Sequence, residues 1–411
     1  MKWFRFLAAG YTVSSFGSYL NMIAIGLYAY LVTGSALHTG LFMALRVGAG
    51  FLAGLASGPL TARFPRKRVM IAADLTQATA MLSLAVTPVD SAQTLLYAVA
   101  VSTGACQTLT MVSLRSGVPS IVGQEERVKA NALLVTSRAT AMVAGFAGAG
   151  ILVDSAGFAV VFSVNAAAFA ISAANLSWLP VLREIPALAA HKASERRGHS
   201  SLSAAGAVFA AAPMLLALVL VRAGDAIGSS SHIVGLPIYA ATMNPDDPAR
   251  FLSQFWTGWA VGMVLTQQVV MRVATRNGHV PGERSFAAGT VVMSLLFVAS
   301  FTGVTSWSLV AVALLAGLAD GYSETAYVSR LQTVDEGRRT AMFGAVAMIE
   351  QSSLGTGMVV SAMLLSALPP SVVVTVLHGF GVASGLSLLV YATVRRARAP
   401  RPAEATSGVR S

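Results

Sequence analysis

The sequence predicts an all-α membrane protein of twelve transmembrane helices in two pseudo-symmetric six-helix bundles. Of its 411 residues, 55% are hydrophobic and only 11% are charged, whereas about a quarter of the residues in a soluble globular protein are charged. Apolar runs of about 20 residues, long enough to cross a hydrocarbon core about 30 Å thick, recur along almost the whole chain. The longest hydrophilic interruption lies in the middle of the chain and leaves six such runs on each side.

Each helix is predicted from an apolar run that ends at a cluster of charged, proline or glycine residues. In the first half the runs cover residues 6–32, 38–61, 69–87, 92–114, 128–152 and 157–179. In the second half they cover residues 212–240, 249–271, 285–303, 306–329, 339–366 and 370–393. We therefore expect an N-terminal bundle at 1–180, a linker at 181–203, a C-terminal bundle at 204–394 and a disordered basic tail at 395–411.

The positions of the basic residues predict the orientation of the chain. Of 28 Lys and Arg residues, 24 lie in the termini, the linker and one alternating set of loops, three lie inside helices, and only Arg250 lies in the other set of loops. Because basic residues are retained on the cytoplasmic side, we expect a multi-pass protein of the cytoplasmic membrane with both termini and the linker in the cytoplasm. The same asymmetry explains the net charge of +11 without a nucleic-acid partner.

The two halves repeat each other in sequence. The loop that begins at Arg115 after the fourth helix matches in charge pattern the loop that begins at Arg330 after the tenth helix. A shift of 212 positions then aligns Gly145 with Gly357, and the intramembrane Arg138 with the intramembrane Glu350. Two related halves are typical of secondary transporters, which hold a central substrate site between them.

Segment 58–68, with the sequence GPLTARFPRKR, is followed by Asp74 in the third helix. It resembles the signature Gly-x-Leu-x-Asp-Arg-x-Gly-Arg-Arg of the major facilitator superfamily, and the chain resembles in particular the bacterial twelve-helix drug:proton antiporter branch. Ala62 and Pro65 replace the Asp and Gly of that signature, so Asp74 alone would serve the basic cluster. The resemblance implies a gating segment that comprises Gly58, Arg63, Arg66, Lys67, Arg68 and Asp74.

The fifth helix carries segment 145–150, GFAGAG, which is similar to the Gly-Pro-x-x-x-Gly element of exporters in that branch. Glycines at this spacing also allow two helices to approach closely in a bilayer. Both interpretations stay open at the level of sequence.

Ionisable side chains inside membrane helices are costly and are therefore functional candidates. We take Asp225, Asp320 and Glu324 as candidates for proton coupling, because their spacing places them on shared helix faces and because carboxylates outnumber arginines by one. The alternatives are structural ion pairs, Arg222–Asp225 and Arg138–Glu350, and a Glu324 that reaches the aqueous interface. The candidate charge partners inside the membrane are Arg46, Arg138, Arg222 and Glu350.

Four polar or aromatic residues are candidates for contact with a substrate, although contacts between helices would explain them equally well. They are Asn21, Gln107, Tyr322 and Tyr327.

Patterns typical of enzymes are absent from the sequence. No Lys follows a Gly as in phosphate-binding loops, no pair of His has metal-ligand spacing, and no Gly-x-Ser-x-Gly segment occurs. We therefore expect a secondary transporter without a cofactor, functional as a monomer, that exports a small amphiphilic molecule such as a drug, antibiotic or metabolite in exchange for protons. The alternatives are a proton-coupled importer of a sugar or metabolite, and a non-transporting membrane sensor or scaffold.

Overall fold

The computed structural model describes residues 2–179, 206, 208–210, 212–278, 281–304 and 306–398. Within these ranges the chain is almost entirely helical and contains no strand. The predicted linker at 181–203 lies outside the described residues, as does the predicted tail beyond residue 398. The division into two bundles at those positions therefore stays a prediction.

The first half begins with helices α1 (Lys2–Thr33), α2 (Ala36–Arg63) and α3 (Arg66–Val86). A helical run, Ala92–Trp178, then supplies α4 (92–115), α5 (129–156) and α6 (158–178). The chain reverses between α5 and α6 at Gly157, whose φ of 78° is readily adopted by glycine. The third helix begins three residues earlier than the predicted residue 69: Arg66, Lys67 and Arg68 form its first turn, and only Phe64 and Pro65 separate α2 from α3.

The second half comprises α7 (Pro213–Met243), α8 (Pro248–Leu265), α9 (Glu283–Ala299), α10 (Ser306–Leu331), α11 (Glu336–Leu365) and α12 (Pro370–Arg398). A π-helical turn, Thr266–Val270, and a short helix, Met271–Arg276, continue α8. The predicted twelve-helix architecture is confirmed. The last helix extends to Arg398, so residues 395–398 are helical and do not belong to a disordered tail.

Eight helical stretches in the described part of the chain are long and apolar enough to cross a membrane. One of them, Lys129–Trp178, has 50 residues, about twice the length of a single crossing, and contains the reversal at Gly157. Helices α8, α9 and α11 are shorter or more polar and complete the count of twelve. The chain is a multi-pass membrane protein.

The two halves meet along two seams, one between α2 and α11 and one between α5 and α8. In the first seam Gly40 packs against Ala362; in the second, a Cβ atom added to Gly150 would lie 2.8 Å from the Cβ of Ser253. The Ser253 hydroxyl also donates a hydrogen bond of 2.6 Å to the carbonyl of Phe146. The first seam lies towards the end of the bundle opposite the α2–α3 turn, because Gly40 stands near the start of α2 and the turn follows its end. The second seam lies at the same end, because α5 crosses in the direction opposite to α2 and Gly150 stands near the end of α5.

Candidate transport cavity and its charged groups

A cavity of about 690 Å³ lies between the halves, within the range of roughly 300–1,000 Å³ that is typical of small-molecule sites. Helices α1, α2, α4 and α5 line it from one half, and α7, α8 and α11 from the other. It extends along α2 as far as Leu55 and along α11 as far as Gly344. The cavity therefore reaches towards the end that carries the α2–α3 turn. Its walls are mainly apolar and include Met22, Met43, Phe51, Trp256 and Met348.

Two arginines, Arg46 of α2 and Arg138 of α5, line this cavity. The Arg46 guanidinium donates a hydrogen bond of 3.0 Å to Oε1 of Gln107. Nε of Arg138 donates one of 2.6 Å to the hydroxyl of Tyr19. Neither arginine has a carboxylate within ion-pair distance among the side chains that the structure describes. Both are oriented by neutral partners.

In the opposite half, Arg222 of α7 stands between two carboxylates. Its Nη1 lies 3.1 Å from Asp225, three residues along the same helix, and its Nη2 lies 2.5 Å from Glu324 of α10. The contact between Arg222 and Asp225 agrees with their spacing of three in the sequence, whereas the contact between α7 and α10 could not be derived from spacing. Asp225 is buried, whereas 38% of the Glu324 side chain is exposed.

Two further carboxylates belong to the same cluster. Asp320 accepts a hydrogen bond of 3.1 Å from Nε1 of Trp259, and both Asp320 and Glu350 are close enough to Arg222 to interact with it electrostatically. Within the described part of the chain, the cluster thus holds four acidic groups around one guanidinium. We call this the carboxylate cluster: Arg222, Asp225, Asp320, Glu324 and Glu350.

The alternative of an Arg138–Glu350 ion pair is wrong. Glu350 belongs to the carboxylate cluster beside Tyr327 and Arg222, whereas Arg138 bonds to Tyr19 in the other half. Positions that correspond in an internal repeat occupy equivalent places in the two halves. Such places need not touch each other.

Asp74 does not serve the basic residues of the proposed gating segment. It is fully buried, and it lies near Ser172 with neither carboxylate oxygen hydrogen-bonded among the described groups. Lys67 instead donates hydrogen bonds of 2.8 Å to the carbonyls of Ser177 and Leu179 at the end of α6. In the same segment Gly58, Arg63 and Arg68 are exposed, and Arg66 is half-buried.

Of the four residues predicted to contact a substrate, only Gln107 lines the central cavity. Asn21 is buried in α1. Tyr327 is buried with its ring stacked on Phe286 and beneath the Arg222 guanidinium, and Tyr322 donates a hydrogen bond to Ser285. The presence of a polar or aromatic residue in a helix that lines the cavity therefore does not show that its side chain faces the cavity.

Sequence reasoning missed Tyr19, which orients Arg138, and a pair of buried histidines. Nδ1 of His232 lies 3.1 Å from Nε2 of His378, and the His232 ring stacks on Phe297 with centroids 4.0 Å apart. The two histidines stand 146 positions apart, so no local pattern could have paired them. Within the described residues, no group of three or more His, Cys, Asp or Glu side chains could hold a metal ion.

The family model described as the Major Facilitator Superfamily matches residues 7–281 of the chain. The chain belongs to this superfamily. Its members are transporters rather than enzymes, so the chain is a transporter of a small molecule across a membrane. The expected superfamily and fold class are thereby confirmed.

Two curated superfamily relatives carry the name "Enterobactin exporter EntS". The protein from Salmonella paratyphi A (strain ATCC 9150 / SARB42) is 30% identical over 193 residues, which cover 45% of this chain and 46% of the relative. The one from Salmonella choleraesuis (strain SC-B67) is 29% identical over 180 residues, which cover 43% of each. The chain thus spans about half the length of the curated relatives it matches.

Solved structures of superfamily transporters share the fold over nearly the whole chain. A bacterial homologue of the iron transporter ferroportin, solved in an inward-facing state, has a TM-score of 0.70 at 17% identity and covers 95% of this chain and 97% of that one. The nucleoside transporter NupG has a TM-score of 0.69 at 14% identity, with 95% and 99% covered. At these identities the likeness establishes the fold.

Proposed function

We propose that the chain is a secondary transporter of the drug:proton antiporter type, which exports a small amphiphilic molecule in exchange for protons. The observation that carries this proposal is the charge imbalance of the carboxylate cluster. Four acidic groups surround a single guanidinium at membrane depth. Like charges in a poorly solvated site disfavour simultaneous ionisation, so part of the cluster is expected to hold protons.

Asp225 offers the clearest place for such a proton. One carboxylate oxygen, Oδ2, is paired with Arg222, whereas the other, Oδ1, is buried without a hydrogen-bond partner among the described residues. A buried oxygen without a donor is costly as a carboxylate, and protonation removes part of that cost. Glu324, which is partly exposed, connects the same cluster to solvent.

Proton binding would change the contacts that Arg222 makes. A neutral Asp225 or Glu324 attracts the guanidinium less strongly, so the balance of contacts between α7 and α10 shifts when a proton binds. A transporter that alternates between two conformations can couple this shift to the side on which its cavity opens. Release of the protons on the cytoplasmic side would restore the ion pairs and complete the cycle.

Export is favoured over import by the exporter relatives, and the direction in which the cavity extends is compatible with entry of a substrate from the cytoplasm. The cavity reaches the end that carries Arg63, Arg66, Lys67 and Arg68, and the positive-inside rule assigns that end to the cytoplasm. A substrate would then enter from the cytoplasm while the two seams close the other side. A reporter fused after Gly408 that is active only outside the cell would contradict this orientation.

The test is a transport assay in inside-out membrane vesicles that respiration has made acidic inside. We expect at least one compound from a panel of anionic, neutral and cationic amphiphiles to raise the luminal pH, as reported by a trapped acridine dye. Glu324→Gln should slow this gradient-driven transport by at least about tenfold and leave substrate exchange without a gradient intact, because the cluster loses a group that cycles its proton.

The matched control is Glu126→Gln, which removes a partly exposed carboxylate paired with Lys129 outside the carboxylate cluster and should leave the rate unchanged. If Glu324→Gln, Asp225→Asn and Asp320→Asn each retain full gradient-driven transport, the proton-coupling assignment is wrong. Facilitated diffusion or coupling to another ion would then describe the transporter better.

A further inference from the structure

We propose that Arg46 and Arg138 form an anion-binding subsite in the central cavity, and that the transported molecule is an amphiphile with a carboxylate, sulfonate, phosphate or similar acidic group. This inference rests on the proposed function only in taking the cavity as the transport site. It names a chemical class of substrate, which the exporter proposal leaves open.

The two arginines carry the only charged side chains among the residues that the structure assigns to the cavity wall. An arginine at membrane depth is costly unless its charge is compensated. A guanidinium has five N–H donors, and the hydrogen bonds to Gln107 and Tyr19 use one donor on each arginine. The remaining donors have no acceptor on any described group of the protein, so two positive charges and several donors are available to a ligand.

Among the residues that the structure describes, no carboxylate takes the place of that ligand. Asp74 lines a small side pocket together with both arginines, but it forms no ion pair with either and lies beside Ser172. The acidic groups of the C-terminal half gather around Arg222. The described part of the chain therefore places positive charge at the cavity and negative charge in the neighbouring cluster.

The partners of the two arginines are suited to orientation rather than to neutralisation. Oε1 of Gln107 and the hydroxyl of Tyr19 accept hydrogen bonds and hold the two guanidinium groups without cancelling their charge. Planar guanidinium groups bind carboxylate, sulfonate and phosphate through pairs of parallel hydrogen bonds. The chemistry of the site thus favours an oxyanion over a cation or an uncharged polar group.

The rest of the cavity fits an apolar body attached to that acidic group. Met22, Met43 and Met348 line it together with Trp256. Methionine side chains adapt to ligands of different shape and contact aromatic rings favourably. The cavity volume of about 690 Å³ accommodates one amphiphile of drug size.

A direct binding measurement on the purified full chain tests the subsite. The probes are 2-naphthoate, which is an anion at pH 7, and the uncharged 2-naphthamide of nearly the same size. Calorimetry in phosphatidylcholine nanodiscs, corrected with empty nanodiscs, avoids competition from anionic lipids. We expect naphthoate to bind on the order of tenfold more tightly than naphthamide, since hydrogen bonds to charged groups contribute more than neutral ones.

The variants Arg46→Gln and Arg138→Gln should each remove most of that preference while naphthamide binding stays unchanged, which also reports an intact fold. Arg138→Lys should retain part of the preference because it keeps the charge but loses the paired hydrogen bonds. Arg272→Gln, which removes a positive charge away from the cavity, is the control and should behave as the unmodified chain.

Four outcomes would overturn the subsite: equal affinity for the two probes, no detectable naphthoate binding at millimolar concentration, unchanged preference in both Gln variants, or tighter binding of 2-naphthylmethylammonium. Addition of phosphatidylglycerol to the nanodiscs separates the two sources of acidic groups. If a lipid headgroup is the natural occupant, this lipid should displace naphthoate, and the proposal of a transported anion fails. Glu324→Gln should bind naphthoate normally, so failure of proton coupling and failure of the subsite are distinguishable.

Discussion

The N-terminal and C-terminal halves have the same fold, but the charged side chains at membrane depth are mainly basic in the first half and mainly acidic in the second. In the N-terminal half, Arg46 and Arg138 face the central cavity with neutral hydrogen-bond partners. In the C-terminal half, four carboxylates gather around Arg222 outside the lining of that cavity. The repeat that aligns Arg138 with Glu350 therefore relates a cation of one site to an anion of the other.

If both proposals hold, the N-terminal half binds the anionic substrate and the C-terminal half exchanges protons. A site that binds an acidic substrate needs fixed positive charge, and arginine stays protonated at every physiological pH. A site that takes up and releases protons needs groups that change charge, which buried carboxylates do. Separation of two such sites would mean that a proton and an anionic substrate need not compete for the same side chain.

The largest effect should come from Arg222→Gln, which leaves the carboxylate cluster without its cation. Breaking a buried ion pair costs roughly 3–5 kcal/mol, and because Glu324 is partly exposed we expect about 3 kcal/mol lower free energy of unfolding. Unfolding by sodium dodecyl sulfate in mixed micelles measures it. The double variant with Glu324→Gln should recover part of the loss, because one uncompensated charge is also removed.

Arg330→Gln provides the comparison for this prediction. Arg330 pairs with Glu283, and its side chain is 36% exposed, compared with 20% for Arg222; an ion pair of such a partly exposed side chain contributes about 1 kcal/mol or less. If Arg222→Gln destabilises the protein no more than Arg330→Gln, the carboxylate cluster does not depend on its single cation.

A smaller effect is expected at the seam that joins the halves. Gly150→Val would push a side chain into Ser253 and the backbone of Arg250, so the seam could not close and the conformation described here, with both seams closed, would become less populated. We expect the transport rate to fall on the order of tenfold. Gly148→Val, in the same GFAGAG segment, is the control, because its nearest neighbour would be Phe16 at 4.0 Å.

This pair of variants also separates the two interpretations of the glycine segment. Close packing requires Gly145 and Gly150, each of which would clash if it carried a Cβ atom, and tolerates a larger residue at position 148. Equal loss of transport in both variants would contradict the packing explanation.

The smallest effect should come from a substitution at the α2–α3 turn. This substitution tests whether the N-terminal half also contributes to the conformational cycle. Lys67→Gln removes the hydrogen bonds to the carbonyls of Ser177 and Leu179, where a positive charge is favourable at a helix end. We expect a two- to threefold lower kcat, roughly 0.5 kcal/mol, with KM unchanged. The exposed Arg68→Gln is the control; a higher KM at constant kcat would instead indicate a role in binding.

The helices could be predicted from the sequence because the length and apolarity of a crossing are local properties. The pair Arg222–Asp225 could be predicted as well, since residues three apart on a helix are neighbours. The contacts of Arg138 could not, because Tyr19 stands 119 positions away and its ring reaches the guanidinium only after α1 and α5 have packed.

The sequence also could not predict which face of each helix lines the cavity. Asn21 and Gln107 are similar amide side chains in membrane helices, yet Gln107 lines the cavity and Asn21 is buried elsewhere. Both lie in segments that are apolar nearly all round, and such segments show no periodic pattern that marks one side. Helix rotation is decided by packing, which involves residues distant in sequence.

Helix α8 connects two features that have so far been described separately. Ser253 bonds to α5 at the seam, and Trp259 bonds to Asp320 in the carboxylate cluster. Ser253 and Trp259 are six residues apart, about 9 Å along a helix. The two hydrogen bonds are therefore made by nearby positions of the same helix. A tilt of α8 that opens this seam would either break the hydrogen bond between Trp259 and Asp320 or move α10 together with α8. Opening of the seam would therefore affect the acidic groups of the carboxylate cluster through α8.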